Sequence, residues 1–178
     1  MSNVRVRIAP SPTGIPHIGN TRTVLFNWLY ARKNNGQFIV RVEDTDRQRL
    51  VEGALDKILE ILELLELNWD EGPKKDGEFG PYIQSERKDL YIKYAQELID
   101  KGLAYEDDGA VRFKVEKGKE WKWDDIIHKE ISFKSDVIED FVILKSDQFP
   151  TYHLAVVIDD HLMQISDVLR GDEWISST

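Results

Sequence analysis

Two short stretches carry side chains with chemical capacity. The first is residues 7–20, RIAPSPTGIPHIGN. Pro10, Pro12, Gly14 and Pro16 forbid regular structure for several residues, and at His17 the pattern turns helical. A stiff loop feeding a helix start offers free backbone N–H groups and the positive end of the helix dipole, so it favours a phosphate. His17 at the mouth is placed to donate to that phosphate, and Gly19 lets a flat base or a backbone come close. The competing reading is a Pro-rich turn into a core helix with a surface histidine. The second stretch is Glu43-Asp44-Thr45-Asp46. It lies just past an apolar strand, where open α/β sheets bind ligands. Acids there also suit the first turn of a following helix, and Asp46 fits that role. Glu43 comes first, at the strand end, and is the candidate holder of a substrate ammonium.

The elements that must position these groups follow from periodicity. Val4 to Ile8 reads as a strand. His17 to Asn34 reads as a helix with Ile18, Leu25, Trp28 and Leu29 on one face, widened by Val24, Phe26 and Ala31, so it should be covered on most sides. Asn34-Asn35-Gly36 stops it, with Gly36 as a left-handed cap. Phe38 to Val42 is a second strand. Strand, loop, helix and strand within about forty residues open a doubly wound parallel sheet. Glu52 to Leu67 is an amphipathic helix whose charged face is solvated. Residues 68–81 form a loop, and Arg87 to Lys101 a further helix ended by Gly102. Val111, Phe113 and Val115 alternate with charged residues as a half-buried strand does. Residues 118–123 look like a turn, and Ile131 to Phe133 alternate again. These short strands form a small insertion, roughly residues 70–140. Phe141 to Leu144 resumes a buried strand, His153 to Leu162 is helical, Ile165 to Leu169 is a last strand, and Gly171 to Thr178 begins a helix.

Composition narrows the classes. The chain has 178 residues, a net charge of −9 and no cysteine. Disulfides and a Cys-based zinc site are excluded. The acidity argues against binding nucleic acid through a broad basic face, but leaves room for a local groove. No signal-peptide run or membrane-length apolar stretch occurs, so the expected location is the cytoplasm.

RIAPSPTGIPHIGN, RVEDTDRQR, GPYIQSER, AVRFKV and LKSDQFPTYHLAVVIDDHLMQISDVLRGDEW occur in that order. Together they resemble the glutamyl-tRNA synthetases over nearly the whole chain. His17-Ile18-Gly19-Asn20 stands where class I aminoacyl-tRNA synthetases carry their HIGH signature, with Asn20 in place of the last histidine. The resemblance implies a Rossmann-like α/β nucleotide-binding fold with a small α+β insertion. It divides the chain into 1–70, the first half of the catalytic domain; 71–140, a shortened acceptor-binding insertion; and 141–178, a return to the catalytic domain.

The resemblance also implies the chemistry. Glutamate's α-carboxylate attacks the α-phosphate of Mg2+-bound ATP, and the glutamyl group then passes to the 3′ end of tRNA-Glu. By position, Arg7 and Arg170 would hold the substrate's side-chain carboxylate, with Ala9 and Ser11 lining the pocket. Glu43 would bind the ammonium beside Tyr152. His17 and Gly19 would contact ATP, His17 and Asn20 would form the catalytic signature, and Glu173 and Trp174 would border the adenosine. No zinc or other resident metal, no membrane and a monomer are expected.

Three departures stand out. Val156 replaces an Asn common in the family. Only Glu106 to Ala110 remains where the family carries a few tens of residues more. The second signature, which grips the ATP phosphates, lies beyond Thr178 in the family, so binding with slow turnover is expected of this chain. Three other readings stand beside this one. They are a glutamyl-queuosine tRNA-Asp synthetase, a non-catalytic ATP- or glutamate-binding unit, and a nucleotidyltransferase sharing the His-x-Gly loop. The family's zinc cysteines count against the first, and the EDTD and DDHLM segments against the last.

Overall fold

The computed structural model describes residues 4–75 and 77–177. Strand β1 (Arg5–Ile8) and strand β2 (Gln37–Val40) pair in parallel, Arg5 opposite Gln37 and Ile8 opposite Val40. Helix α1 (Ile18–Lys33) makes the crossover between them. The other edge of β2 takes one short parallel bridge, Ile39 with Glu71, and Val42 just beyond the strand makes another with Ile83. Helix α2 (Ala54–Leu64) follows Gly53, whose φ of 74° needs a glycine. Val6, Ile8, Val24, Ala31, Phe38, Val40, Leu59, Leu62, Leu67 and Trp69 form the core of this half.

The second half is built on helix α3 (Lys88–Asp100) and an antiparallel sheet of β3 (Ala104–Asp107), β4 (Ala110–Phe113) and β7 (Phe141–Leu144), in the order β3-β4-β7. Asp108 and Gly109 make the β3–β4 turn with φ of 47° and 76°, the positive-φ pair that Asp-Gly supplies in tight hairpins. Helix α4 (Tyr152–Leu162) packs Leu154, Ala155 and Ile158 against Tyr91, Ala95, Ile143 and Leu144. Strands β5 (Glu120–Asp125) and β6 (Lys129–Lys134) form a separate hairpin, with Trp123 stacked on Phe133 at 5.6 Å. Short 3₁₀ turns span Gln84–Arg87, Ser135–Val137 and Asp172–Ser177. Among the described residues no helix is long and apolar enough to cross a membrane.

Arg5 fastens the two halves under the sheet. Its guanidinium takes both oxygens of Glu71, at 2.7 and 3.0 Å, and its Nε donates to the Met163 carbonyl. Tyr82 donates its hydroxyl to the same Glu71 carboxylate. Burial, with that hydrogen bond, pushes the Tyr82 hydroxyl up to about 12.

Several expectations are corrected. Residues 165–169 are not a strand: Ser166 donates its N–H to the Arg5 carbonyl, but no ladder forms. Residues 141–144 form the expected strand, buried only at Ile143 and Leu144, and it pairs antiparallel with β4. Trp121 and Trp123 lie in β5, not in a turn, because cross-strand stacking outweighs the glycine and lysines before them. The left-handed residue after α1 is Asn35 (φ 51°), not Gly36. Gly36 answers a different need, since a Cβ there would lie 2.3 Å from the Val4 carbonyl oxygen. Helix α1 is not covered on most sides: it buries Val24, Asn27 and Ala31, while Ile18 is 84% exposed and Leu25, Phe26 and Leu29 are also exposed. No helix begins at Asp46, which is exposed; α2 starts eight residues later. Thr178, the end of the expected last helix, lies outside the described residues.

Candidate functional site

The site grows from the C-terminal ends of β1 and β2. The loop after β1 is zipped to the segment after β2, with Arg41 N–H donating to the Ile8 carbonyl and Glu43 N–H to the Pro10 carbonyl, both at 3.0 Å. The Ser11 hydroxyl donates to the Glu43 carbonyl at 2.6 Å, so Ser11 shapes the loop through backbone. Ala9 is half-buried in the same turn. Asp44 fixes the far side by accepting from the Ser85 N–H at 2.7 Å.

Arg7 and Glu43 belong to one charge network. Arg7 donates from Nε and Nη2 to the two oxygens of Asp160, at 3.0 and 2.9 Å. Arg41, whose side chain is 0% exposed, donates to Asp160 and, at 3.3 Å, to Glu43. Its Nε lies 3.6 Å from Asp159 and has no hydrogen-bond partner. Asp159, also fully buried, accepts from Arg87 (2.8 Å), Gln84 (2.9 Å) and the Tyr91 hydroxyl (2.8 Å). Three guanidiniums, of Arg7, Arg41 and Arg87, thus face three carboxylates, of Glu43, Asp159 and Asp160. Burial pushes the Asp160 carboxyl up, but Arg41 and Arg7 outweigh it and hold it below the usual carboxylate range. Burial wins at Glu43: Arg41 and Arg7 pull its carboxyl back only in part, and it stays above its ordinary value.

A second group is the start of α1. His17 is the N-cap; its Nδ1 accepts from Gly19 N–H at 3.0 Å, while Asn20 Oδ1 accepts from His17 N–H at 3.1 Å. This is a reciprocal capping box. The sequence predicts free N–H groups here, yet Gly19 spends its own on His17, and Asn20 and Thr21 donate to the His17 carbonyl. With Nδ1 turned to the Gly19 N–H, Nε2 is the ring nitrogen left for a ligand, on an exposed side chain. A Cβ at Gly19 would lie 2.7 Å from His17 Cε1, so a larger residue there would displace the ring.

The third group is Tyr152, Arg170 and Trp174. Arg170 Nη1 donates to the Tyr152 hydroxyl at 3.3 Å, and the Tyr152 and Trp174 rings lie 5.4 Å apart. Glu173 is exposed and folds its carboxylate back over Gly171. Tyr152 opens α4, and Asp160 lies about two turns further along the same helix. Val156, one turn after Tyr152, is buried. Among the described residues no group of three or more His, Cys, Asp or Glu could hold a metal ion.

Sequence reasoning missed Arg41, Asp159 and Asp160. A signal was present for two of them. Arg41 interrupts the apolar strand FIVRV, and Asp159 shares the buried face of Ala155 and Ile158. Charged residues are rarely buried unless paired, so an acid and a base at core positions point to one another.

The chain matches the family described as tRNA synthetases class I (E and Q), catalytic domain, over residues 3–110 and 107–178. It is 48% identical to the glutamate–tRNA ligase of Dehalococcoides mccartyi strain BAV1 over 213 residues, covering 99% of this chain and 44% of that protein. It is 50% identical to that of Acholeplasma laidlawii over 184 residues, covering 100% and 41%. Among solved structures, a glutamate tRNA ligase from Elizabethkingia meningosepticum in complex with its amino acid superposes with a TM-score of 0.94 at 34% identity, over 99% of this chain and 45% of that one. The glutamate-tRNA synthetase of Elizabethkingia anophelis gives 0.89 at 35%, over 99% and 46%. The chain spans less than half the length of these relatives. Matched by that family over residues 3–110 and 107–178, with a parallel strand pair joined by a His-capped crossover helix, the chain belongs to the class I tRNA synthetases, in the catalytic domain of their E and Q branch.

Proposed function

We propose that this chain is the glutamate- and ATP-binding portion of a glutamate–tRNA ligase. The observation that carries the reading is the strand-end network, where Arg7 and Glu43 stand as opposite charges tied through Asp160 and Arg41. An α-amino dicarboxylic acid needs that pairing: a guanidinium for its side-chain carboxylate and a carboxylate for its ammonium. In this reading Arg7 and Arg170 take the side chain, Glu43 takes the ammonium with Tyr152 beside it, and Ala9 and Ser11 wall the pocket. His17 donates from Nε2 to an ATP phosphate. Asn20, whose side chain caps α1, keeps His17 in place, and Gly19 leaves room for the ring. Glu173 and Trp174 border the adenosine.

The reaction is glutamyl transfer in two displacements. A glutamate α-carboxylate oxygen attacks the α-phosphorus of ATP, which enters with Mg2+ as its substrate complex, and pyrophosphate leaves. The 3′-terminal ribose hydroxyl of tRNA-Glu then attacks the mixed anhydride and AMP leaves. Positioning and charge stabilisation supply the rate. The proposal includes a monomer acting in the cytoplasm without zinc, and residues 71–140 as a shortened acceptor-end insertion.

The test is glutamate-dependent ATP–pyrophosphate exchange, with and without tRNA, using glutamine as the control amino acid. Calorimetric titration with glutamate runs in parallel. Exchange or binding selective for glutamate supports the reading. The absence of both exchange above the glutamine background and glutamate binding would overturn it.

A further inference from the structure

Asp160 uses only part of Arg7. A guanidinium has two edges that can grip a carboxylate, Nε with Nη2 along the side and Nη1 with Nη2 at the end. Asp160 occupies the side edge, and no other hydrogen bond to the Arg7 guanidinium occurs among the described residues. The end edge therefore keeps both N–H groups of Nη1 and one of Nη2. Asp160 is itself fixed, since the same Oδ1 that accepts from Arg7 Nε also accepts from the fully buried Arg41. Arg41 in turn reaches Glu43. One rigid cation thus sets the separation between the anchor of Arg7 and the Glu43 carboxylate.

We propose that Asp160, braced by Arg41, is a positioning residue for amino-acid selection: it holds the side edge of Arg7 so that only the end edge meets the ligand's side-chain carboxylate. The proposal rests on the glutamate reading above and goes beyond it by assigning the orientation of the recognising fork. Held this way, Arg7 offers a flat pair of donors and no freedom to turn. A carboxylate satisfies both donors, whereas the amide of glutamine brings N–H groups against one of them. Asn at 160 is a poor substitute for the same reason. It has one accepting oxygen for Arg7, and its amide N–H groups would face a guanidinium.

The experiment titrates this chain with glutamate, glutamine and ATP by calorimetry, as wild type and as Asp160→Asn. The expected result is at least a tenfold loss of glutamate affinity in the variant, a narrower ratio of glutamate to glutamine binding, and ATP affinity within about twofold of wild type. Equal losses for glutamate and ATP would mark a merely structural role and overturn the inference. So would glutamate binding that is unchanged or tighter. A second measurement needs no substitution. In 15N-labelled wild type, the Arg7 Nε–H should exchange slowly with solvent and stay protected at saturating glutamate. Loss of that protection would mean that the ligand displaces Asp160, which also overturns it. If Asp160→Asn does not fold, this second measurement decides. A wild-type chain that neither binds glutamate nor shows glutamate-dependent exchange would overturn the proposed function and this inference together, whereas wild type and variant binding alike would overturn this inference alone.

Discussion

Arg41→Met tests the charge network directly. Methionine follows the arginine stem through the core with little change of shape, so the substitution removes charge more than volume. The guanidinium is buried among three carboxylates. Asp160 would keep Arg7, and Asp159 would keep Arg87, Gln84 and Tyr91. Glu43 has no other ion pair among the described residues and would be stranded. Removing one partner of a buried pair costs about 3–5 kcal/mol. With one carboxylate stranded rather than three, the lower part of that range applies, about 3–4 kcal/mol. In a chain of this size that lowers Tm by roughly 6–16 °C. The pH dependence separates this cause from loose packing. Burial already raises the Glu43 carboxyl, and losing Arg41 raises it further. An acid whose folded pKa lies above its unfolded value penalises the native state only when ionised. The penalty is therefore absent below the unfolded value of ~4.3 and grows as pH rises through the folded one. Urea unfolding at about pH 5 and about pH 8 should show the larger deficit at the higher pH. The double variant Arg41→Met/Glu43→Gln should recover at least ~1 kcal/mol of it. A deficit below ~1 kcal/mol that does not vary with pH would refute the reasoning.

Arg7→Ala should weaken glutamate binding by about 2–5 kcal/mol with little effect on ATP; calorimetry in which both affinities fall equally would make Arg7 structural. Gly19→Ala should push the His17 ring off its cap and cost about 0.5–2 kcal/mol of stability, the worth of an N-cap; a thermal melt identical to wild type would show that the ring is not held there. Arg7 and Arg41 depress the Asp160 carboxyl against burial, and hydrogen bonds from Arg5 and Tyr82 do the same for Glu71. Their contribution is present above the ordinary carboxylate values of about 4 and is lost as pH falls through the lower folded ones. Acid denaturation should therefore flatten in both Asp160→Asn and Glu71→Gln, and an unchanged acid limb would contradict the assignment.

Local signals were legible in the sequence where one rule acted alone. The Pro-rich loop, the helix beginning at His17 and the strand ending before Glu43 all depend on neighbours in sequence, and the structure places them accordingly. What depended on distant partners was not legible. Gly118 to Trp123 reads as a turn until Phe133 is brought beside Trp123. Residues 165–169 have strand composition, but their neighbour offers them hydrogen bonds from one residue, Arg5, rather than a ladder. The apolar stripe of α1 reads as core, yet only part of it finds a packing surface. The same division holds at the site. Glu43 is visible from its position after a strand, whereas Asp159 and Asp160 join the charge network only because α4 carries them to Arg41, more than a hundred residues away.

The Asp108-Gly109 turn has a consequence for how this family changes length. Strands β3 and β4 pair from Ala104 opposite Phe113 to Asp107 opposite Ala110, so the ladder itself holds the two ends of the turn side by side. The two matched segments of the chain meet at residues 107–110, and the Dehalococcoides relative aligns over 213 residues against a chain of 178. Chain added at that point joins two positions that are already neighbours, and the entropy of closing a loop grows only with the logarithm of its length. A hairpin tip of this kind is a splice point. Evolution, or a protein engineer, could lengthen, shorten or exchange what hangs from it while leaving the packing of Tyr91, Val111 and Ile143 beneath it as it stands.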